Sequence, residues 1–565
     1  MSQHTSSASG GSLGGNPIGI KETITSLLIA FMLAFTFRGF VVEGFQIPTG
    51  SMAPTLLGKN LRFQSPTSGY NWTTGPWEYV DRTRTVPAPV QGRDVSVVVN
   101  DPMTGAEISA INEKLSSGDR VFVLKYLPWL HHAERWDVVV FKNPGTHQNY
   151  IKRLVGLPGE QVLIVDGDIF TREFVEGETA GSGWDAWAQD DWSIARKSER
   201  VQRAMLQPIH DSRFAPVVFD PGYRSPWDSS GSGWEGVKEA GVFTYTGSGA
   251  TGLEWNGVIS LSERNAYNQI HPTHDPRYTA GRPSMDPRYN YAAYWAKDLA
   301  VSADFRLDSD GVTLSPEIEV RGRAVRAVVE TGTGAVRLEM RERTEGSDED
   351  RPWTVVDSAQ IGARESGDTV SVELWHMDEA LWLFIDGKLV CGGAEKGAYS
   401  ESPMETVLSA TGLTRAELIE RSEGYPGDGV SRPGVLADPT IYRGSSVGWS
   451  MSGGGFTMHN VRVARDIHYR TMPDIRATRG GHPDFFPTLT GEEYFMCGDN
   501  SARSEDSRLW RDGDIYPWVA AEIDDRPGVV HEDLIVGKAF VVYWPSLRWK
   551  GSVPVPDVGR VRWIF

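Results

Sequence analysis

Cysteine is almost absent: Cys391 and Cys497 are the only two among 565 residues, and they lie far apart. Two thiols build neither a disulfide framework nor a four-cysteine zinc site, and they leave the compartment open. Positive charge is also scarce, with 56 Lys and Arg against 74 Asp and Glu, a net charge of -18. A surface so acidic is not built to neutralise phosphates, which excludes nucleic acid as a partner. The N-terminal apolar run is itself short. Thr23 to Phe37 is uncharged for 15 residues, below the ~20 that span a bilayer. Arg38 interrupts, and Gly39-Phe40-Val41-Val42 continue. If the Arg38 guanidinium snorkels to the interface, the span becomes long enough. Its apolar residues run all round rather than along one stripe, unlike a surface helix. No small-x-small cleavage site follows it, unlike a signal peptide. The expectation is an uncleaved transmembrane anchor over residues 20–42, behind a Ser/Gly-rich disordered tail over 1–19. Lys21 before the span and Arg38 after it give no vote on orientation.

A chain of this length needs two or three domains. Residues 43–170 carry short strand patterns: Val121-Phe122-Val123-Leu124, Asp137 to Phe141, and Gln161 to Val165. Turn residues bound them. Within this stretch, residues 60–117 form an insert. It contains Ser65-Pro66-Thr67-Ser68-Gly69 and Asp101-Pro102-Met103-Thr104-Gly105. They resemble the two turns of a zinc ribbon, but Ser65, Ser68, Asp101 and Thr104 stand where cysteines would be needed. Such hard oxygen ligands do not make a structural zinc site; the insert is a metal-free relic or a coincidence. In the long region 171–485, apolar residues alternate with polar ones: Leu299, Val301, Ala303, Phe305 and Leu307; Val336, Leu338 and Met340; Val370, Val372 and Leu374. Leu381 to Ile385 then meets Asp386-Gly387, and Lys388-Leu389-Val390 returns, a strong hairpin signal. These features predict a β-sandwich. Most of the 20 tryptophans lie here, as core or as a carbohydrate-facing surface. From Phe486 the short strands resume, at Glu493 to Cys497 and Ala539 to Tyr543.

Three segments carry chemistry. In Phe45-Gln46-Ile47-Pro48-Thr49-Gly50-Ser51-Met52-Ala53-Pro54, Gly50 permits a sharp turn and the prolines stiffen its flanks. Such a loop can present a hydroxyl and aim backbone N–H groups at an oxyanion. In Tyr150-Ile151-Lys152-Arg153-Leu154, Lys152 sits among apolar residues. If it points inward, burial lowers its pKa, and a neutral amine can take a proton from a serine. The third, Gly498-Asp499-Asn500-Ser501-Ala502-Arg503-Ser504-Glu505-Asp506-Ser507-Arg508, is dense in hydrogen-bonding groups. Taken singly, these segments read as a turn, a surface lysine and a polar loop.

Together and in this order they change the reading. An apolar span is followed by PTGSMAPTL (48–56), then YIKRLVGLPGE (150–160), then GDNSARSEDSR (498–508). With GDRVFVLKY (118–126) and RWDVVVFKNP (135–144), this closely resembles the type I signal peptidases, serine proteases with a Ser/Lys dyad. The resemblance covers roughly 200 of the 565 residues. It implies a mainly β fold with an N-terminal transmembrane helix: a signal-peptidase domain in two parts, 43–170 and 486–565, split by the inserted sandwich. Ser51 would be the nucleophile and Lys152 the general base, with no metal or other cofactor. The Ser51 backbone N–H and the Thr49 hydroxyl would form the oxyanion hole. Ser504 would orient the lysine, Asp506 and Arg508 would pair, and Gly498, Asp499 and Asn500 would support the site. Phe45, Ile47, Pro48, Val140, Tyr150 and Ile151 would line pockets for small residues.

The resemblance further implies exported preproteins as substrates, a lipid bilayer as partner, and a catalytic domain on the outer side of the inner membrane. The stretch Val370 to Val390 resembles the concanavalin A-like jelly roll, which leaves the sandwich as a spacer or as the seat of a glycan or protein ligand. The inserts at 60–117 and 171–485, and Arg511-Asp512-Gly513-Asp514 after Trp510, depart from the family pattern. None is expected to touch the dyad, and the sandwich is expected to be dispensable for chemistry. Two alternatives fit less well. A self-cleaving Ser/Lys repressor would need a DNA-binding N-terminus. A membrane-anchored carbohydrate-binding protein on an inactive protease frame would have lost Ser51 or Lys152.

Overall fold

The N-terminal apolar run forms one helix, Ile20–Phe40, with its side chains outward. Among the described residues it is the one helix long and apolar enough to cross a membrane. Its end is tied to the protein, where Lys125 Nζ donates to the Gly39 carbonyl at 2.9 Å, a cation at a helix C-terminus. The helix is shorter than the expected 20–42 span, because Val42 already begins a strand. The computed structural model describes residues 20–76, 96–111, 113–125, 133–174, 183–217, 222–239, 241–269, 293–343, 351–424, 434–471, 479–511 and 513–565. The tail 1–19 lies outside them.

β-branched and aromatic runs on either side of the long insertion build one eight-stranded antiparallel sheet. Its order is Val42–Gln46, Arg120–Lys125, Ile535–Trp544, Val138–Lys142, Asn149–Gly156, Glu493–Cys497 and Val530–His531, with Arg562–Trp563 paired to Ile535–Trp544. The C-terminal Ile535–Trp544 thus lies between two N-terminal strands, so neither part of the chain completes the sheet alone. Val42–Gln46 is an edge strand, paired only to Arg120–Lys125 among the described residues.

The sandwich forms as the alternation requires. Leu299, Val301, Ala303, Phe305 and Leu307 all point into one core, with Val336, Leu338, Val370, Val372 and Leu374. That core lies between an eight-stranded and a seven-stranded sheet. Asp386 and Gly387 both take positive φ, 50° and 74°, the left-handed turn that joins Ala380–Ile385 to Lys388–Gly392. The sandwich strands run from Gln207 to Arg465. The tryptophans here are largely core: Trp227, Trp375 and Trp449 are fully buried.

The two bodies meet over a third layer. Strands Glu160–Val165, Asp168–Glu173 and Ser193–Ile194 form a small sheet. Leu163, Val165 and Phe170 from it pack against Met404, Val407 and Leu418 on the helices Pro403–Thr411 and Arg415–Gly424. Charges are buried at this seam as well. Arg321 grips Asp166 with both arms of its guanidinium, at 2.6 and 2.7 Å. Lys297 meets Asp168 at 2.5 Å, and Lys197 contacts both Asp378 and, at 3.0 Å, Asp466. Removing one partner of such a pair strands the other charge away from water. Lys197→Met keeps the volume and leaves Asp378 and Asp466 facing each other. It is expected to cost about 3–5 kcal/mol, read as a lowered midpoint in denaturant unfolding.

Within the 60–117 insert, the hairpin Leu61–Gln64/Asn71–Thr74 and the hairpin Ser96–Asn100/Glu107–Ile111 bring the two candidate knuckles together. Ser68 Oγ donates to Asp101 Oδ2 at 2.7 Å, and Ser65 Oγ accepts from the Ser68 N–H at 3.1 Å. Hydrogen bonds therefore hold the two turns together without thiolates.

Candidate active site

The Ser51 loop follows the edge strand, and Lys152 lies on Asn149–Gly156, four strands further into the same sheet. The alternation of that strand decides where the amine goes. Ile151 turns into the apolar cluster of Ile47, Met52, Val138 and Val140, and Lys152 takes the opposite face, 3% exposed. There Lys152 Nζ lies 2.8 Å from Ser51 Oγ and 3.0 Å from the Ile151 carbonyl. Burial pushes the Lys152 amine down to about 8; Arg508 adds to the shift, and Asp506 and Asp499 oppose it. An amine with that pKa is half neutral near pH 8, which leaves a usable neutral fraction close to neutral pH, the state a base requires. Thr49 Oγ1 is 3.5 Å from Ser51 Oγ, on the exposed side of the loop.

The polar loop packs directly behind the serine. The Gly498 N–H donates to Asp506 Oδ2 at 2.8 Å. A Cβ on Gly498 would fall 2.5 Å from the Ser51 carbonyl oxygen and 2.2 Å from Ser504 Oγ, so only glycine fits. Asn500 holds the turn twice: its N–H donates to the Ser51 carbonyl at 3.0 Å, and its Nδ2 to the Gly50 carbonyl at 3.0 Å. Asp506 and Arg508 form a fully buried bidentate pair, 2.9 Å at each arm. Burial alone would raise the Asp506 carboxyl, but Arg508 holds it below the ordinary range.

The pocket candidates separate into two groups. Ile47, Val140 and Ile151, with half-buried Phe45, join the apolar cluster beneath the loop. Tyr150 packs on the other side with Phe141 and Val139, although its ring centre is 5.2 Å from Lys152 Nζ. Pro48 is exposed. Ser504 is buried, with its hydroxyl over Gly498 and beside the Asp506 carboxylate, which it helps hold low. The lysine amine also meets the Ile151 carbonyl.

Two contributions escaped the sequence. Arg153, next to Lys152 in the motif, forms a buried bidentate pair with Asp499 at 2.8 and 2.7 Å and donates to the Trp136 and Phe565 carbonyls. It ties the lysine strand to the Gly498 loop. The second comes from the region expected to stand clear of the dyad. Asn265, Tyr267 and Asn268 contact the Ser51 loop or Asn500. Arg470, also inside 171–485, offers its carbonyl to Arg508 at 3.0 Å. The expectation concerned the dyad itself, and none of these hydrogen bonds is to Ser51 or Lys152; they reach the loops that flank it. Its loops return to the protease side between sandwich strands, and nothing in the local sequence marks where they land.

The family model described as signal peptidase, peptidase S26, matches residues 20–107, 95–180 and 409–544. Signal peptidase I of Buchnera aphidicola subsp. Schizaphis graminum is 31% identical over 141 residues, 25% of this chain and 30% of that protein. Signal peptidase I of Rickettsia prowazekii is 26% identical over 156 residues, 27% of this chain and 44% of that protein. The chain spans less than half the length of these curated relatives. Among solved structures, a carbohydrate-binding module from Bacillus subtilis aligns at 9% identity over 42% of this chain and 96% of its own, with a TM-score of 0.22. The metal-free carbohydrate recognition domain of Emp46p aligns at 11% identity over 44% of this chain and 92% of its own, with a TM-score of 0.23.

Proposed function

Because the chain belongs to the signal peptidase family S26, we propose that it is a membrane-anchored serine endopeptidase that removes signal peptides from exported preproteins, with Ser51 as nucleophile and Lys152 as general base. The observation that carries this reading is the 2.8 Å approach of a buried lysine amine to the Ser51 hydroxyl. An inactive frame carrying a carbohydrate-binding module would have no reason to keep that pair.

The chemistry is acyl transfer. A preprotein strand pairs with the free edge of Val42–Gln46, main chain to main chain, and its small side chains rest against Phe45, Ile47, Val140 and Ile151. Ser51 Oγ attacks the scissile carbonyl as Lys152 Nζ takes its proton. The Ser51 N–H and the Thr49 hydroxyl donate to the oxyanion. The C–N bond breaks as the lysine returns the proton to the leaving amine. Water, activated by the same amine, then hydrolyses the acyl-enzyme. Asp499 with Arg153, and Asp506 with Arg508, keep the loop in place, and Asn500 holds the serine turn. No step calls for a metal.

The helix Ile20–Phe40 would anchor the enzyme in the inner membrane as a single pass, with the catalytic sheet on the outer side. Trp544, Trp549, Val553, Val558, Val561 and Trp563 at the C-terminal end are exposed. Arg548, Lys550, Arg560 and Arg562 stand beside them. Aromatic and basic residues together suit a lipid–water interface.

The test is cleavage of a preprotein with a small-x-small site by detergent-solubilised protein, with Ser51→Ala as control. Intact preprotein after prolonged incubation with wild type would refute the reading. The pH profile follows from the amine. Below its pKa Lys152 is protonated and cannot accept; above it the base is free. Rate should therefore rise with pH through an apparent pKa near 8, well under the ~10.4 of a free lysine. A flat profile between about pH 6 and 10 would count against a lysine base.

A further inference from the structure

The Ser51 loop is held from outside the protease fold. Residues 181–408 are unmatched by the family model, yet a short turn within them, Asn265 to Asn268, packs against that loop. Tyr267, 1% exposed, lays its ring on Gly50. A Cβ at Gly50 would lie 2.1 Å from Tyr267 Cε1, so glycine and tyrosine fit as a pair. The Tyr267 hydroxyl donates to the Lys59 carbonyl at 2.6 Å, beyond the far end of the loop. Asn265 accepts from the Tyr267 N–H at 2.9 Å, which shapes the turn, and donates to the Ala53 carbonyl at 3.2 Å.

Asn268 acts one residue further back. Its amide forms a reciprocal pair with Asn500: Asn268 Nδ2 donates to Asn500 Oδ1 at 2.7 Å, and Asn500 Nδ2 donates to Asn268 Oδ1 at 3.0 Å. The same Asn500 Nδ2 donates to the Gly50 carbonyl. An amide side chain has two faces, and a half-turn exchanges donor for acceptor. Asn268 accepts from Nδ2 and donates to Oδ1, so it fixes the orientation in which Asn500 presents a donor to Gly50. Without it, Asn500 Oδ1 is left buried and unpaired, and a flip would set oxygen against oxygen at the residue before the nucleophile.

We propose that Asn265, Tyr267 and Asn268 are positioning residues for the nucleophile, a clamp by which the inserted region holds Ser51 in line with Lys152. The proposal rests on the peptidase reading above. It makes the insertion part of the active-site frame, adding an outer hold to the bonds the Ser51 loop makes within itself and to Asp119. A displacement on the order of 1 Å at a reacting atom can cost about 10²-fold in rate.

The experiment uses the full chain in detergent and a small-x-small peptide. Asn268→Ala should lower kcat roughly 10- to 100-fold, with KM near wild type, since the apolar pocket is untouched. The midpoint of the rise of rate with pH should not move, because the neighbours of Lys152 are unchanged. Asn268→Ala combined with Asn500→Ala should be no worse than Asn500→Ala alone, the non-additivity of residues acting through one another. Hydrogen exchange at residues 48–59 should rise in Asn268→Ala and Tyr267→Ala. Should Tyr267→Ala fail to fold, Tyr267→Phe removes only the bond to the Lys59 carbonyl, and the Asn268 arm still decides. Wild-type kcat and wild-type loop exchange in Asn268→Ala overturn the clamp. A wild-type chain that cleaves nothing defeats the peptidase reading instead, and the clamp is then decided by loop exchange alone.

Discussion

Lys152→Arg is expected to retain less than about one part in 10³ of wild-type kcat/KM, and Ser51→Ala no more. The arginine result is the sharper of the two, because it separates charge from basicity. Lysine can be neutral here because burial lowers its amine to about 8. A guanidinium stays protonated at any working pH and cannot accept the serine proton. Room is short as well. Lys152 is 3% exposed, its Nζ fits between Ser51 Oγ and the Ile151 carbonyl, and the Tyr150 ring lies 5.2 Å away. A wider planar group would push the serine aside. Ser51→Ala should melt cooperatively near wild type, since the Asp506–Arg508 and Arg153–Asp499 pairs that stiffen the site remain. Lys152→Arg should melt cooperatively at a lower midpoint, because it overfills the site and buries a charge. Near-normal turnover by Lys152→Arg would remove the lysine from the role of base.

What the sequence disclosed depended on how local the signal was. Strand alternation around Leu299 to Leu307 and the Asp386-Gly387 turn are written in neighbouring residues, and the structure carries both. The Ser51, Lys152 and Gly498 segments were legible through their order along the chain. The inward aim of Lys152 follows from the two-residue period of its strand, with Ile151 on the opposite face. Contacts that depend on where a distant loop lands were not legible. Asn268 precedes Asn500 by 232 residues, and no periodicity links them. Arg153 was visible inside its motif, but its partner Asp499 is 346 residues away. The helix end was misplaced because Val41 and Val42 suit a membrane span and a strand equally well, and pairing of Val42 with Leu124 decided the matter.

Excision of the sandwich is expected to destroy folding and cleavage together. Joining Leu206 to Asp466 is geometrically simple, because Gln207 and Arg465 are already partners across two strands. Loop closure is therefore not the obstacle. The obstacle is what the excised segment covers. It carries Met404, Val407, Leu418, Val435 and Leu436, which bury Leu163, Val165 and Phe170 on the protease side. Exposing that face forfeits about 1.5–3 kcal/mol for each large side chain returned to water. Domains hold only about 5–15 kcal/mol in total. The excision also strips Asp166 of Arg321 and Asp168 of Lys297. Those carboxylates would then be hydrated, so the apolar face dominates the loss. The clamp on Gly50 and Asn500 goes with the same segment. The shortened chain should therefore aggregate or show no cooperative melt, and any folded fraction should cleave a small-x-small peptide at least about 10-fold more slowly. A monodisperse product that melts cooperatively and turns over the peptide at the wild-type rate would show that the insertion merely rests on the protease and holds no part of it in place.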